Sequence, residues 1–178
     1  MRLFIAIDFG ELKDYFTELQ KQLPSNAKLS LVKSFHLTLK FLGEVQPSKV
    51  DEIISILKTI KFKPFETHLD SIGIFPTENY IRVVWVGLKP EEKVVELQKQ
   101  IDDSLNKLFR KEKGFKPHIT LCRVKYPEDK KLFVENVRKI KVENKKIAVR
   151  DFRLVKSTLI SKGPVYGDLF VYRLESLE

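Results

Sequence analysis

Phe35-His36-Leu37-Thr38-Leu39 returns 82 positions later (His36 to His118) as Pro117-His118-Ile119-Thr120-Leu121. The chain holds three histidines, and two of them carry the same His-apolar-Thr-Leu tail. At ordinary residue frequencies chance produces such a tail on the order of a few times in a thousand per histidine. The pattern therefore reads as an internal repeat. Strand side chains alternate between faces, so His36 and Thr38 share one face and Leu37 and Leu39 the other, with the second copy divided in the same way. Leucine and isoleucine go to a core, and an imidazole and a hydroxyl project together on the opposite side. If a pseudo-twofold axis relates the two halves, the two His-Thr pairs face each other across one cleft.

Outward from the repeat, helical periodicity is clear in three places. Leu12, Phe16, Leu19 and Leu23 form one apolar stripe; Val50, Ile53, Ile54, Leu57 and Ile60 follow Pro47; Val94, Leu97, Ile101, Leu105 and Leu108 follow Pro90. A weaker fourth stripe, Leu132, Val134 and Val137, lies within 129–139. Runs rich in β-branched and aromatic residues at 2–8, 35–42, 65–74, 80–87, 117–124, 146–160 and 165–174 read as strands. The pairs 65–74 with 80–87 and 146–160 with 165–174 read as hairpins. Strands and helices mix without strict alternation, which indicates an α+β protein of antiparallel sheets. The expectation is one bilobal domain over 1–178, with pseudo-twofold related sheets, helices on the outer faces, a central cleft, and H-x-T-x half-sites at 36–39 and 118–121.

Composition narrows the function classes. The chain has 178 residues, 43% apolar and 32% charged, with a net charge of +9. That is a cored globular protein with a bias toward acidic partners, nucleic acid foremost, although charge alone also serves solubility. The opening stretch lacks a signal-peptide core and no apolar run approaches the ~20 residues of a membrane span. A cytoplasmic location, no membrane association and a monomer are expected. The lone Cys122 excludes an intrachain disulfide. No G-x-G-x-x-G or phosphate-loop motif appears, and two histidines without carboxylates at ligand spacing disfavour zinc, so neither metal nor cofactor is expected.

Two opposed His-x-Thr units suit in-line displacement at phosphorus. One imidazole removes a proton from the attacking oxygen and the other delivers one to the leaving oxygen, while the hydroxyls donate to the anionic oxygens. At this point the residues carry a resemblance. Phe35-His36-Leu37-Thr38-Leu39-Lys40-Phe41-Leu42-Gly43-Glu44-Val45 and Pro117-His118-Ile119-Thr120-Leu121 resemble the paired H-x-T-x motifs of the two-histidine phosphoesterases, in particular the RNA 2′,3′-cyclic phosphodiesterases, also called 2′-5′ RNA ligases. The likeness extends to Arg2-Leu3-Phe4-Ile5-Ala6-Ile7, Gly73-Ile74-Phe75-Pro76, Trp85-Val86-Gly87-Leu88, Ser157-Thr158-Leu159 and Gly163-Pro164-Val165-Tyr166. It implies hydrolysis of a terminal 2′,3′-cyclic phosphate to a 2′-phosphate, with His36 as proton donor to the 3′ oxygen and His118 as the acceptor that activates water. The repeat itself does not separate those two roles. The implied partner is RNA with a cyclic phosphate end, tRNA fragments included, or a small cyclic nucleotide. Alternatives are a ligase or phosphodiesterase acting on 2′-5′ linked or other nucleotides, and a non-catalytic module that binds RNA ends.

Further site candidates are Thr38 and Thr120 for the phosphate, Lys40 by its strand parity with His36, and Arg123. Relatives usually follow the second motif with a small residue and then arginine, which Cys122-Arg123 matches. Strict alternation turns Arg123 away from the His118 face unless the strand bulges. Lys40 is expected ~13 Å along from His36, reaching a neighbouring phosphate. Phe4, Tyr126 and Tyr166 are candidates for stacking on a terminal base. The basic stretches 110–116 and 139–153 are candidate backbone contacts. Cys122 is expected to be small and buried, with a cross-strand approach to His36 left open, and His68 to be a surface or hairpin residue.

Overall fold

In a computed structural model, which describes residues 1–175, alternation and periodicity give thirteen principal elements. They are β1 (Arg2–Asp8), α1 (Lys13–Lys21), β2 (Lys28–Leu31), β3 (His36–Glu44), α2 (Val50–Leu57), β4 (Phe65–Thr77), β5 (Tyr80–Lys89), α3 (Glu92–Ser104), β6 (Ile119–Lys125), α4 (Lys130–Arg138), β7 (Lys146–Val149), β8 (Asp151–Ile160) and β9 (Gly163–Arg173). Local chemistry sets several of the boundaries. A short 3₁₀ turn beginning at Pro47 leads into α2, and the Asp129 side chain accepts the Leu132 N–H at 3.0 Å to start α4.

The strands form two antiparallel sheets with spatial orders β3-β1-β8-β9 and β2-β6-β5-β4-β7. This is the expected α+β arrangement, with one topological addition. The repeated unit runs strand, helix, His-strand, helix, strand, so β1-α1-β3-α2-β4 corresponds to β5-α3-β6-α4-β8. Each unit's last strand is inserted in the other unit's sheet: β4 pairs with β5, and β8 pairs with β1. The two halves are thereby interlocked.

The 146–160 run is not one strand. Ile147 and its neighbours pair with β4 in the second sheet, the chain crosses at Arg150, and 151–160 pairs with β1 and β9 in the first. The two expected hairpins, β4-β5 and β8-β9, are present. β2 is an additional short edge strand lying against β6.

The main core joins Leu3, Ile5 and Ile7 of β1 with Leu37 and Leu39 of β3 and the apolar stripes of α1, α2 and α3. A second cluster gathers Val84, Cys122, Val124, Phe133, Val134 and Val137 beneath α4. Each such fully buried side chain contributes roughly 1.5–3 kcal/mol relative to exposure. The helices thus cover the face of each sheet that carries the motif's aliphatic residues and leave the histidine face open.

Candidate active site

Both histidine strands begin as expected. On β3, Leu37 and Leu39 are buried while His36 and Thr38 are half-buried on the other face; on β6, Ile119 and Leu121 are buried and Thr120 half-buried beside His118. Each strand then departs from strict alternation at the same place. Ile5 and Ala6 of β1 pair with Lys40 and Thr38, so Leu39 is an extra residue in its ladder. Val84 and Trp85 of β5 pair with Cys122 and Thr120, so Leu121 is extra as well. A β-bulge follows each His-x-Thr.

The bulges reverse two of the parity expectations. Lys40 is turned inward, 1% exposed, with its ammonium 2.6 Å from Asp102 Oδ1 and donating to the Arg110 carbonyl at 2.7 Å. It therefore does not extend along the cleft toward a neighbouring phosphate. Arg123 is turned outward and lines the same hollow as His36 and Thr38. Phe41, two residues after the first bulge as Arg123 is after the second, is half-exposed in that hollow too. Cys122, the counterpart of Lys40, is fully buried among Val84, Phe133 and Val137, where burial pushes its thiol up to about 12. It shares no face with His36, which closes the cross-strand pairing.

The cleft comprises two adjoining hollows that share Thr38 and Phe41. The first, about 530 Å³, is bordered by Arg2, Phe4, His36, Arg123, Ser157 and Tyr166 among others; the second, about 260 Å³, by Phe75, Lys113, Lys116 and His118. Each imidazole stands between two aromatic rings. His36 lies 5.0 Å from the Phe4 ring and 5.3 Å edge-on to Tyr166; His118 lies 4.8 Å edge-on to Phe75 and 6.0 Å from Trp85. Trp85 lies flat across its sheet because Gly73 opposite has no side chain, and a Cβ there would overlap the indole. Phe4 is 4% exposed, a floor under His36 and not a free stacking face, and Tyr126 is 83% exposed just beyond β6, away from both hollows.

Burial dominates the electrostatics. It holds His36 far below the usual imidazole range, at about 4, with the His118 charge adding to the push, and it lowers His118 as well, against a backbone hydrogen bond that favours the cation. His118 Nδ1 lies 2.7 Å from the Lys116 carbonyl. A carbonyl can only accept, so Nδ1 carries the proton and a neutral His118 keeps a lone pair on Nε2. Beyond His36, Arg153 contacts Asp8, Asp151 and Asp168, which neutralises part of the 139–153 stretch. Lys111 and Lys116 of the other basic stretch are likewise paired, with Asp103 and Glu91. His68 is half-buried on β4 opposite Lys89, its Nδ1 on the Leu69 carbonyl. Among the described residues, no three His, Cys, Asp or Glu side chains gather as a metal-binding group, and no helix is long and apolar enough to cross a membrane.

Sequence reasoning did not single out Arg2, Phe41, Phe75, Trp85 or Ser157 as walls of the site. On β1 the signal was present: Arg2, Phe4, Ala6 and Asp8 alternate with the core residues Leu3, Ile5 and Ile7.

A doubled His-x-Thr unit, repeated with its bulge in two interlocked antiparallel sheets, defines a class of phosphoesterase. The LigT like Phosphoesterase family model matches the chain twice, over residues 7–85 and 86–166, one match around each histidine motif, and the chain belongs to that family. It is 39% identical over 170 residues to an RNA 2′,3′-cyclic phosphodiesterase of Methanocaldococcus jannaschii, covering 93% of this chain and 96% of that one. It is 38% identical over 177 residues to the enzyme of the same name from Archaeoglobus fulgidus, covering 97% and 99%. The fold superimposes on a crystal structure from Thermus thermophilus with a TM-score of 0.81 at 28% identity, over the full length of both chains. It also superimposes on E. coli LigT complexed with phosphate, with a TM-score of 0.75 at 26% identity over 98% of each.

Proposed function

We propose that this phosphoesterase hydrolyses the 2′,3′-cyclic phosphate at an RNA end to a 2′-phosphate by paired-histidine acid–base catalysis, without a metal. His118 takes a proton from the attacking water. The water oxygen bonds to phosphorus, the bond from phosphorus to the 3′ oxygen breaks, and His36 gives that oxygen its proton. Thr38, Thr120 and Arg123 hold the non-bridging oxygens and the adjoining backbone, and Tyr166 packs at the edge of the nucleoside site. The observation that carries the reading is the pair of structurally equivalent imidazoles, each boxed by two aromatic rings on the open face of its sheet. The relatives' shared name, RNA 2′,3′-cyclic phosphodiesterase, supplies the substrate class.

The His118 tautomer supports its role as acceptor, because the Lys116 carbonyl leaves Nε2 unprotonated in the neutral ring. His36 needs a proton to act as donor, and burial removes it in the resting protein. A bound cyclic phosphate brings the negative charge that returns it. The net charge of +9 favours RNA encounter.

The test is turnover of an RNA oligonucleotide ending in a 2′,3′-cyclic phosphate in the presence of EDTA, with the product end identified by ³¹P NMR. A 2′-phosphate formed at an undiminished rate is expected. A 3′-phosphate product would overturn the assignment of the leaving oxygen, and activity that needs added zinc or magnesium would replace the mechanism with a metal-assisted one.

A further inference from the structure

A lysine buried to 1% exposure on the strand of one half-site raises the question of what it is for. Its partner, Asp102, is 6% exposed on α3. A buried ion pair is a weak source of stability, since desolvation of the two charges offsets most of their attraction and apolar replacements often serve as well. The contacts of the Lys40–Asp102 pair point elsewhere. Lys40 Nζ donates to the Arg110 carbonyl, Asp102 Oδ2 accepts from the Glu112 backbone N–H at 2.9 Å, and the Glu112 carboxylate lies 3.9 Å from Nζ. All three contacts fall on the start of the segment 110–116.

That segment has no ladder or helix of its own, and besides these contacts it is tied by Lys111 to Asp103 and by Phe115 to the main core. Gly114, at φ +67°, allows the turn within it. Its far end is held by Lys116 Nζ on Glu91 at 3.0 Å. The Lys116 carbonyl is the group that accepts from His118 Nδ1. A continuous set of contacts therefore runs from the β3 bulge, through α3 and the segment, to the imidazole of the other half.

We infer that the Lys40–Asp102 pair is a positioning device, which places the segment 110–116 so that the Lys116 carbonyl fixes the tautomer and orientation of His118. The strand that carries the first histidine thus sets the ring of the second. The catalytic consequence rests on the proton-accepting role proposed for His118, whereas the structural part does not. In this reading Asp102 and Lys40 act through the segment as positioning residues, although Lys40 also reaches the wall of the second hollow.

Two variants test this, each read by ¹⁵N shifts of the His118 ring and by steady-state kinetics on a mononucleotide 2′,3′-cyclic phosphate. Lys40→Met with Asp102→Asn removes the charge pair without leaving a buried charge and keeps an acceptor for the Glu112 N–H. Glu112→Pro leaves the Lys40–Asp102 pair in place and removes that N–H together with the Glu112 carboxylate near Nζ, so it reports even if the double variant folds poorly. Both should lower kcat about ten- to a hundredfold, the usual effect of a misplaced reacting group, with KM within about twofold. The His118 shifts should move from a single Nδ1-protonated tautomer toward a mixture. A folded variant with unchanged His118 shifts and unchanged kcat overturns the inference, and a rise in KM alone overturns it in favour of substrate contact. If the unaltered protein fails to turn over the cyclic phosphate, the hydrolase reading falls and the ring shifts still decide the positioning role.

Discussion

Sulfate makes a direct probe of His36 because it carries negative charge yet does not titrate across the imidazole range. In the resting protein, burial and the neighbouring His118 charge place His36 at about 4. Counting only one of sulfate's two negative charges, ~4 Å from the ring at an effective dielectric of ~20, the interaction with the imidazolium is about 4 kcal/mol. At 1.36 kcal/mol per unit this raises the pKa by about three units, to about 7. Asp8 and Asp168 line a small hollow with His36, and the Arg153 guanidinium, which Asp151 also contacts, offsets part of their charge before any anion arrives. The assay is an NMR titration of the His36 Cε1–H between pH 3 and 9 with and without saturating sulfate, assigned by loss of the resonance in His36→Gln. The midpoint should move from near 4 to near neutrality, and sulfate should bind more tightly as the pH falls through that interval. A resting midpoint near 6.5 would refute the claim that burial strips the ring of its proton. A midpoint that stays near 4 with sulfate bound would refute His36 as the proton donor.

Substitution of either His36 or His118 by alanine should lower turnover of the cyclic phosphate by ~10²- to 10⁴-fold, the usual worth of one general acid or base. The double variant should fall by far less than the product of the two, since the residues act as a unit; a near-normal rate in either single variant sinks the mechanism. Arg123→Ala should raise KM for an RNA oligonucleotide more than it lowers kcat, and should flatten the log–log salt dependence of binding by about 0.7, the value for one lost single-strand phosphate contact; an unchanged salt slope would remove Arg123 from the RNA path. His36 stays neutral in the folded state while the unfolded chain takes up a proton near 6.5, so stability is fully present above pH 6.5 and is lost as the pH falls toward 4. The His36 share of that loss is about 3 kcal/mol, so chemical melts of His36→Gln should show a shallower decline over the same interval, and an identical decline would contradict it. Cys122 should resist thiol reagents at neutral pH until the protein unfolds, and rapid labelling of the folded chain would contradict its burial.

Much of this architecture was legible because it depends on period. The apolar stripes of α1, α2 and α3, the alternation of β1, and the repeated His-x-Thr all follow from the geometry of isolated elements. The bulges were not legible from the first motif. After Leu39, alternation places Phe41 in the core and Lys40 in the cleft, an order that looks satisfactory locally, and only the ladder with β1 shows the reverse. The second motif was more informative, since Leu121-Cys122 puts two small or apolar residues in succession before Arg123 and so signals an extra residue. The run 146–160 hid a change of sheet because both parts are equally rich in strand formers, and only the partners tell them apart. Asp102 drew no notice among the charges of α3 because nothing local marks it as buried.

The exchange of β4 and β8 between the two sheets has a mechanical consequence. Many enzymes that bind between two lobes close like a jaw, rotating rigid bodies about a short hinge. Here each half contributes a strand to the middle of the other half's sheet, hydrogen-bonded to β5 in one case and to β1 in the other. Any rotation of the halves would shear those ladders, so the spacing between the two imidazoles is fixed when the chain folds and not when the ligand arrives. The cleft works as a mould and not as a clamp: ligands enter and leave across an open rim, and selection among them depends on fit to a shape already set.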